Sequence, residues 1–358
     1  MQISLAGVPS GGTSGVCKRE RELNSFWDKR LWTYYWLNKN KGKMPTTKNK
    51  VELMLDSGAF SAWNQGGKIN LQEYITFCLE NLSFCDYIVN LDVIPGKPYQ
   101  KVTKQDIDNS VKQGWNNYIT MLQAGIPKEK LIHVFHQGEN MEELKKMVKQ
   151  IPYIGLSPAN DKTTDQKTKW LDRCMKYVVD SNGFPLVKFH GFGVTSLFLM
   201  LRYPWYSVDS TSWVVTGRMG SIYVPRFGGG KWKYDENSWK IAVSNRSPAQ
   251  KEVGQHINTL SPIGKKIILD YVHEKGYQLG ESEFHKEDQT YKLKENEKWA
   301  QKKPTDKTAK RDVETILTLG ISNRYQLRDE MNIIYFLDLE KSMPEWPWAF
   351  KIEQHGLF

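Results

Sequence analysis

Three aspartates stand where apolar, strand-like runs of this 358-residue chain give way to polar turns. Asp56 opens DSGAFSAW, Asp92 closes YIVNLD and Asp209 closes WYSVD. Gln137 follows VFH, Gly155 and Leu156 lie within YIGLS, and His190 opens HGFG. A lone aspartate after a strand commonly caps the next helix, its side-chain oxygens accepting from free backbone amides. Three acids, a glutamine and glycine turns at successive strand ends, all facing one mouth, call for more than capping. Carboxylates gathered in this way can divide nucleophilic attack and proton transfer between them.

Metal chemistry is the first competitor. His133 and His136 are three apart on an extended run, so they point to opposite faces and cannot chelate together. His190 is isolated in sequence, and an aspartate-lined magnesium site stays open. The four cysteines, Cys17, Cys78, Cys85 and Cys174, contain no C-x-x-C or C-x-C spacing, which argues against a cysteine-built zinc site. Ser57 and Ser210 lie near acids, but G-x-S-x-G is absent and hydrogen bonding within turns accounts for them. The segment FGGGKWK lacks the Walker spacing and reads as a flexible basic loop.

The segments that must carry these residues alternate in type. Apolar runs at Ile3–Ala6, Leu31–Trp36, Val51–Asp56, Tyr87–Asp92, Leu131–Gln137, Tyr153–Ser157, Leu186–His190 and Trp205–Asp209 read as strands. Between them, Leu71–Glu80, Gln105–Ala124 and Met141–Gln150 place apolar residues at helical spacing. Strand–helix alternation predicts a parallel sheet, and a strand count near eight favours a closed (β/α)8 barrel. An open doubly wound sheet normally carries G-x-G-x-x-G after its first strand, and none is present.

The texture changes after about Gly230. Ser247–Leu260 and Pro262–Lys275 read as two helices, residues 276–310 as a charged, loosely ordered stretch, and Arg311–Leu319 and Tyr325–Lys341 as helices. The expected division is therefore a barrel over 1–232 and a helical, basic elaboration over 233–358, with one late helix closing the barrel wall. No apolar run reaches the ~18–20 residues of a membrane span. The start MQISLAGVPSGG lacks the order of a signal peptide and reads as a first strand and its loop. With the dispersed cysteines, this points to a soluble cytoplasmic protein. Lysine plus arginine number 50 against 40 acids, a formal charge of +10. A polyanionic partner and a merely basic enzyme fit that charge equally.

In order, LWTYYWLN, LDSGAF, NLD, FHQG, IGLS, HGFG and VDSTSWVVTGR resemble the strand-end motifs of tRNA-guanine transglycosylases over roughly residues 1–225. DSGAF, HGFG and YPWYSVDSTSW resemble most closely the phage and bacterial branch that acts on DNA as 7-deazaguanine transglycosylases. The resemblance implies a pentosyltransferase needing no dissociable cofactor, while the few, dispersed cysteines of this chain predict no structural zinc. Asp209 would be the nucleophile at the sugar C1′ and Asp56 the proton carrier at the base. Asp92, Gln137 and the backbone at Gly155–Leu156 would bind the base edge, with Phe60 stacked on one face and His190 towards the other. Arg218 would contact phosphate. Apart from the resemblance, polyanion binding should weaken steeply with salt if Lys231, Lys233, Arg218 and Arg226 border the mouth and neutralise phosphates.

The chain departs from the tRNA enzymes in two places. No cysteine follows Cys174, where they carry a C-x-C-x-x-C…H zinc site, and T-S-W replaces the cysteine-and-proline sequence after the nucleophile. Both departures favour DNA over tRNA as the partner, with a free 7-deazaguanine, taken as the 7-cyano form, as co-substrate. A zinc-free tRNA enzyme, a non-catalytic nucleic-acid-binding barrel and a metal-dependent barrel hydrolase remain the alternatives.

Overall fold

The structure, a computed structural model, describes residues 1–6, 29–39, 52–98, 100–247, 252–301, 303–306 and 308–351. Eight parallel strands close into a barrel in sequence order: β1 (Gln2–Ala6), β2 (Lys29–Thr33), β3 (Glu52–Asp56), β4 (Tyr87–Val89), β5 (Leu131–His136), β6 (Tyr153–Ser157), β7 (Lys188–Gly191) and β8 (Ser207–Ser210). β8 returns to β1 in the register Gln2↔Ser207 to Leu5↔Ser210, which removes both sheet edges. Alternate residues face the interior, so Ala6, Leu31, Met54, Val89, Ile132, Val134 and Tyr153 pack as one cluster contributed by six strands.

The helices of this layer are α1 (Tyr34–Lys39), α2 (Ala59–Asn64), α3 (Leu71–Glu80), α4 (Lys104–Gln123), α5 (Met141–Gln150), α6 (Thr164–Val178) and α7 (Leu197–Arg202). Their starts follow local chemistry. Asn70 accepts from the amides of Gln72 and Glu73 before α3. Thr103 and Asp106 form a reciprocal capping box on α4, as do Thr163 and Gln166 on α6.

The described residues form two compact units. One is the barrel, from residues 1–6, 29–211 and 340–351; the other comprises 212–339. The barrel thus ends at Thr211 rather than at 232, and the C-terminal stretch belongs to it. That stretch fastens the amino-terminal ends of the strands: the Met1 amine donates to Pro344 O at 2.6 Å, Ile3 N to Glu340 Oε2 at 2.7 Å, and Lys29 pairs with Glu340 at 2.7 Å.

The second unit is not the helical elaboration that its sequence suggests. It holds α8 (Ser212–Arg218), α9 (Pro262–Glu274) and α10 (Tyr325–Ser342, counted with the barrel from Glu340). Two antiparallel pairs join β9 (Ser221–Val224) to β12 (Trp239–Ala242) and β10 (Arg226–Gly228) to β11 (Lys231–Lys233). A three-stranded sheet runs β13 (Glu281–Glu287), β15 (Arg311–Thr318), β14 (Glu297–Trp299). Arg311–Leu319 is therefore mostly a central strand, not a helix. Val313, Thr315, Ile316 and Thr318 are β-branched, and pairing on both edges decides a run whose periodicity fits either form. The same sheet orders part of 276–310. Of Ser247–Leu260, residues 248–251 lie outside the described set, and the remainder makes turns and a 3-10 turn at Ile257–Thr259 instead of a helix. The expected α9 and α10 are present.

Candidate active site

The carboxyl ends of the strands enclose a cavity of about 230 Å³ whose walls include Asp56, Asp92, Asp209 and Phe60. The three acids come from β3, the turn after β4, and β8, so closure of the barrel alone brings them together. This is the face at which barrels of this class position their chemistry.

Asp56 ends β3. Gly58, at φ +82°, turns the chain so that its amide donates back to Asp56 Oδ2 at 3.1 Å. A Cβ at Gly58 would lie 2.5 Å from Tyr35 Cβ and 2.6 Å from Thr33 Cγ2, so neither space nor backbone admits another residue. Burial, followed by the negative charges of Asp92 and Asp209, pushes the Asp56 carboxyl up to about 8 against the opposing Gly58 and Ser57 amides. At neutral pH this group is largely a neutral acid with a proton to give.

Asp92 is held differently. His136 Nε2 lies 2.8 Å from Asp92 Oδ2, and His136 Nδ1 lies 2.8 Å from Glu139 Oε1. Burial acts to lower the His136 pKa, but hydrogen bonds to and charges on both carboxylates outweigh it and raise the ring to about 10. The ring is an imidazolium donating to two acids. Ile132, Val134 and His136 share the inner face of β5. His133 takes the outer face, where it lies against Trp115 and Tyr118 and is pushed down to about 3 by burial and by nearby His136 and Lys146.

Asp209 accepts from Gly193 N at 2.7 Å through Oδ1, with His190 Nε2 at 3.4 Å from the same oxygen. Gly193, at φ +62°, points its amide there. Behind it, Ser207 Oγ sits 2.5 Å from His190 Nδ1 and 2.6 Å from Tyr153 OH. With Tyr153 donating to Ser207, Ser207 to His190 and His190 to Asp209, each member donates once and the imidazole carries its proton on Nε2. The chain of donors ends at one Asp209 oxygen, and Oδ2 has no hydrogen bond among the described residues.

The remaining expected residues separate into two groups. Phe60, nearly half exposed, lies at the cavity and stacks on Trp63 with centroids 5.9 Å apart. Gln137, Gly155, Leu156 and His190 support the site without lining it. The Gln137 amide oxygen accepts from Ala159 N at 3.0 Å, fastening the loop after β6. Leu156 points outward, and its carbonyl accepts from Phe192 N at 3.0 Å. Gly155 makes room for the Phe192 ring, since a Cβ there would lie 2.4 Å from Phe192 Cε2. His190 is fully buried, its ring edge-on to Phe192 with centroids 4.5 Å apart.

The residues that sequence reasoning passed over are Phe192, Ser157 and Asn160, which line the cavity, and His136, which anchors Asp92. For His136 a signal existed, because strand alternation from Val134 turns it inward. The Arg218, Arg226, Lys231 and Lys233 set belongs to the second unit and is divided there. Arg226 stacks on Trp239 at 4.5 Å, Lys233 pairs with Glu236 at 2.8 Å, and Lys231 shares their hairpin. Arg218 ends α8 and lines a separate cavity of that unit. Among the described residues, no three or more His, Cys, Asp or Glu side chains are grouped to hold a metal ion, and no helix is long and apolar enough to cross a membrane.

The molecule is thus a (β/α)8 barrel with a carboxylate-lined pocket at its strand ends, extended by a second, mixed unit. Neither family models nor curated proteins match this sequence.

Proposed function

We propose that the protein is a base-exchange transglycosylase, replacing guanine in DNA with a 7-deazaguanine. The observation that carries the reading is the different setting of two acids in one cavity. Asp56 holds a proton near neutral pH, while Asp209 is oriented by Gly193 and His190 with Oδ2 left to react. Asp209 attacks C1′; the bond from C1′ to the base nitrogen breaks and its electron pair leaves with the base. Asp56 gives that base its proton, and the sugar stays esterified to Asp209. The incoming base surrenders its ring N–H proton to Asp56 and attacks C1′, which frees Asp209. Two inversions give net retention, the logic by which retaining glycosidases work.

A planar guanine-like edge offers N–H donors, which suits the acceptor oxygens of Asp92, fixed by His136. Phe60 supplies an aromatic face for stacking. In this reading the amide contact expected of Gln137 falls to Asn160, which lines the cavity while Gln137 ties down its loop. The choice of DNA over tRNA rests on two features of the sequence. No cysteine lies beyond Cys174, and Thr211, Ser212 and Trp213 stand where the tRNA enzymes carry cysteine and proline.

The test is incubation with guanine-containing DNA or tRNA and 7-cyano-7-deazaguanine, followed by nucleoside mass spectrometry. Deazaguanine in DNA, with release of guanine, supports the reading. Incorporation into tRNA alone would move it to the zinc-free tRNA enzyme, and incorporation into neither would overturn it.

A further inference from the structure

The second unit contains a cavity of about 720 Å³ that the barrel chemistry does not use. Five cationic side chains line it: Arg218, Arg246, Lys298, Arg324 and Arg328. Two buried carboxylates behind the wall oppose them. Glu314 has Oε2 at 3.4 Å from Lys298 and 3.7 Å from Arg246, with Oε1 accepting from Ser282 Oγ at 2.9 Å. Asp329 acts on its neighbour Arg328 by charge. Among the described residues, five cations against these two acids leave the lining of the cavity rich in positive charge.

Three of the cations are held in place by backbone carbonyls. Arg328 donates through Nε to Gly217 O at 2.7 Å and through Nη1 to Ile321 O at 2.6 Å. Burial pushes its guanidinium down to about 10, which still leaves it charged at neutral pH. Arg246 Nη1 donates to Ala300 O at 3.1 Å, and the Lys298 amine donates to Asn323 O. Asn323 ties the wall together, donating to Thr318 O at 2.8 Å and accepting from Gly320 N at 3.0 Å. The first residues of the 18-residue α10, Tyr325 and Gln326, also line the cavity, so the positive end of a long helix adds to the field.

We propose that this cavity binds backbone phosphates of a polynucleotide. Guanidinium groups suit phosphate through forked N–H geometry, and fixed donors lose little entropy on binding. Five cations exceed what one small anion engages, whereas successive phosphates of a strand use them together. The inference goes beyond the transglycosylase reading and rests on it only in taking the strand to be DNA.

The test measures binding of a fluorescein-labelled, mixed-sequence single-stranded DNA by anisotropy across a salt series, comparing wild type with Arg218→Gln/Arg324→Gln. The double variant should bind about tenfold more weakly, with a log–log salt slope shallower by roughly 1.4, two contacts at about 0.7 each. Circular dichroism checks its fold. If the double variant does not fold, Arg218→Gln alone, altering an exposed residue, should show about half the slope change. A folded variant with wild-type affinity and slope overturns the proposal. So does a cavity that takes only free phosphate, seen as inorganic phosphate raising the Tm of wild type but not of the variant while DNA binding is unchanged. Base exchange assayed on the same proteins separates the two ideas. A protein whose DNA binding weakens as expected but which exchanges no base keeps this inference and loses the transglycosylase reading.

Discussion

The barrel cavity and the cavity of the second unit handle charge in opposite ways. In the barrel, three carboxylates share one small space, and burial with mutual repulsion keeps a proton on Asp56. In the second unit, five cationic side chains line a larger space, and carbonyl oxygens with a buried carboxylate brace three of them, Arg246, Lys298 and Arg328. Crowded like charges in a desolvated setting raise the proton affinity of one carboxylate. Like charges in an open site braced by backbone carbonyls leave cationic groups facing the cavity, as the phosphate proposal requires. The difference begins with the residue types, acids in one cavity and guanidinium and ammonium groups in the other, and solvation and bracing add to it.

The largest effect expected is on the barrel acids. Asp209→Asn should lower base exchange by roughly 10⁴-fold or more and abolish any trapped sugar ester, since an amide is a poor nucleophile. Asp56→Asn should cost about 10²–10⁴-fold, the usual range for general acid–base catalysis, while permitting some ester to form. Single-turnover exchange and adduct mass read both. Should Asp56→Asn block the adduct while Asp209→Asn spares exchange, the two roles are reversed.

The pH profile bears on the same contrast. Exchange should fall as pH rises through about 8, where Asp56 loses its proton, and Asp56→Asn should lack that limb. Stability follows the same sign. An acid whose folded pKa is raised binds more protons folded than unfolded, so its contribution declines from its unfolded value near 4 up to about 8. Wild type should therefore lose stability over that window relative to Asp56→Asn, measured as Tm against pH.

His136 gives a third expectation. Its folded pKa is raised to about 10, so the stability it contributes is complete below its unfolded value near 6.5 and is lost as pH rises through about 10. His136→Gln should cost about 3–5 kcal/mol near neutral pH by leaving Asp92 and Glu139 without their shared cation. Chemical denaturation measures this, and a loss below about 1 kcal/mol, the scale of an ordinary hydrogen bond, would show that the two acids are not compensated through His136. The smallest effect is expected of Tyr153→Phe, which removes only the outer donor of the Asp209 chain and should cost about 1 kcal/mol in stability with a modest loss of exchange.

Much of the barrel was legible because its strands are short apolar runs ending in polar turns, and Tyr153–Ser157, Leu71–Glu80 and Met141–Gln150 match their expected bounds. The acids at Asp56, Asp92 and Asp209 were legible for the same reason, since a strand-end position in a parallel barrel specifies which mouth a residue reaches. The second unit was not. Its charged strands take their form from pairing partners: Arg311–Thr318 is extended because β13 and β14 flank it, a condition absent from the local sequence.

Residue order alone dictates the succession of barrel strands and helices, and with it the three acids delivered to one end. Which polar groups at that end stay available depends on the folded chain. Gln137 and the Leu156 carbonyl are consumed by loops, Gly155 yields its space to Phe192, and His136 becomes the cation that fixes Asp92. Hydrogen-bond partners and proton affinities arise from groups distant in the chain, so no local pattern could have carried them.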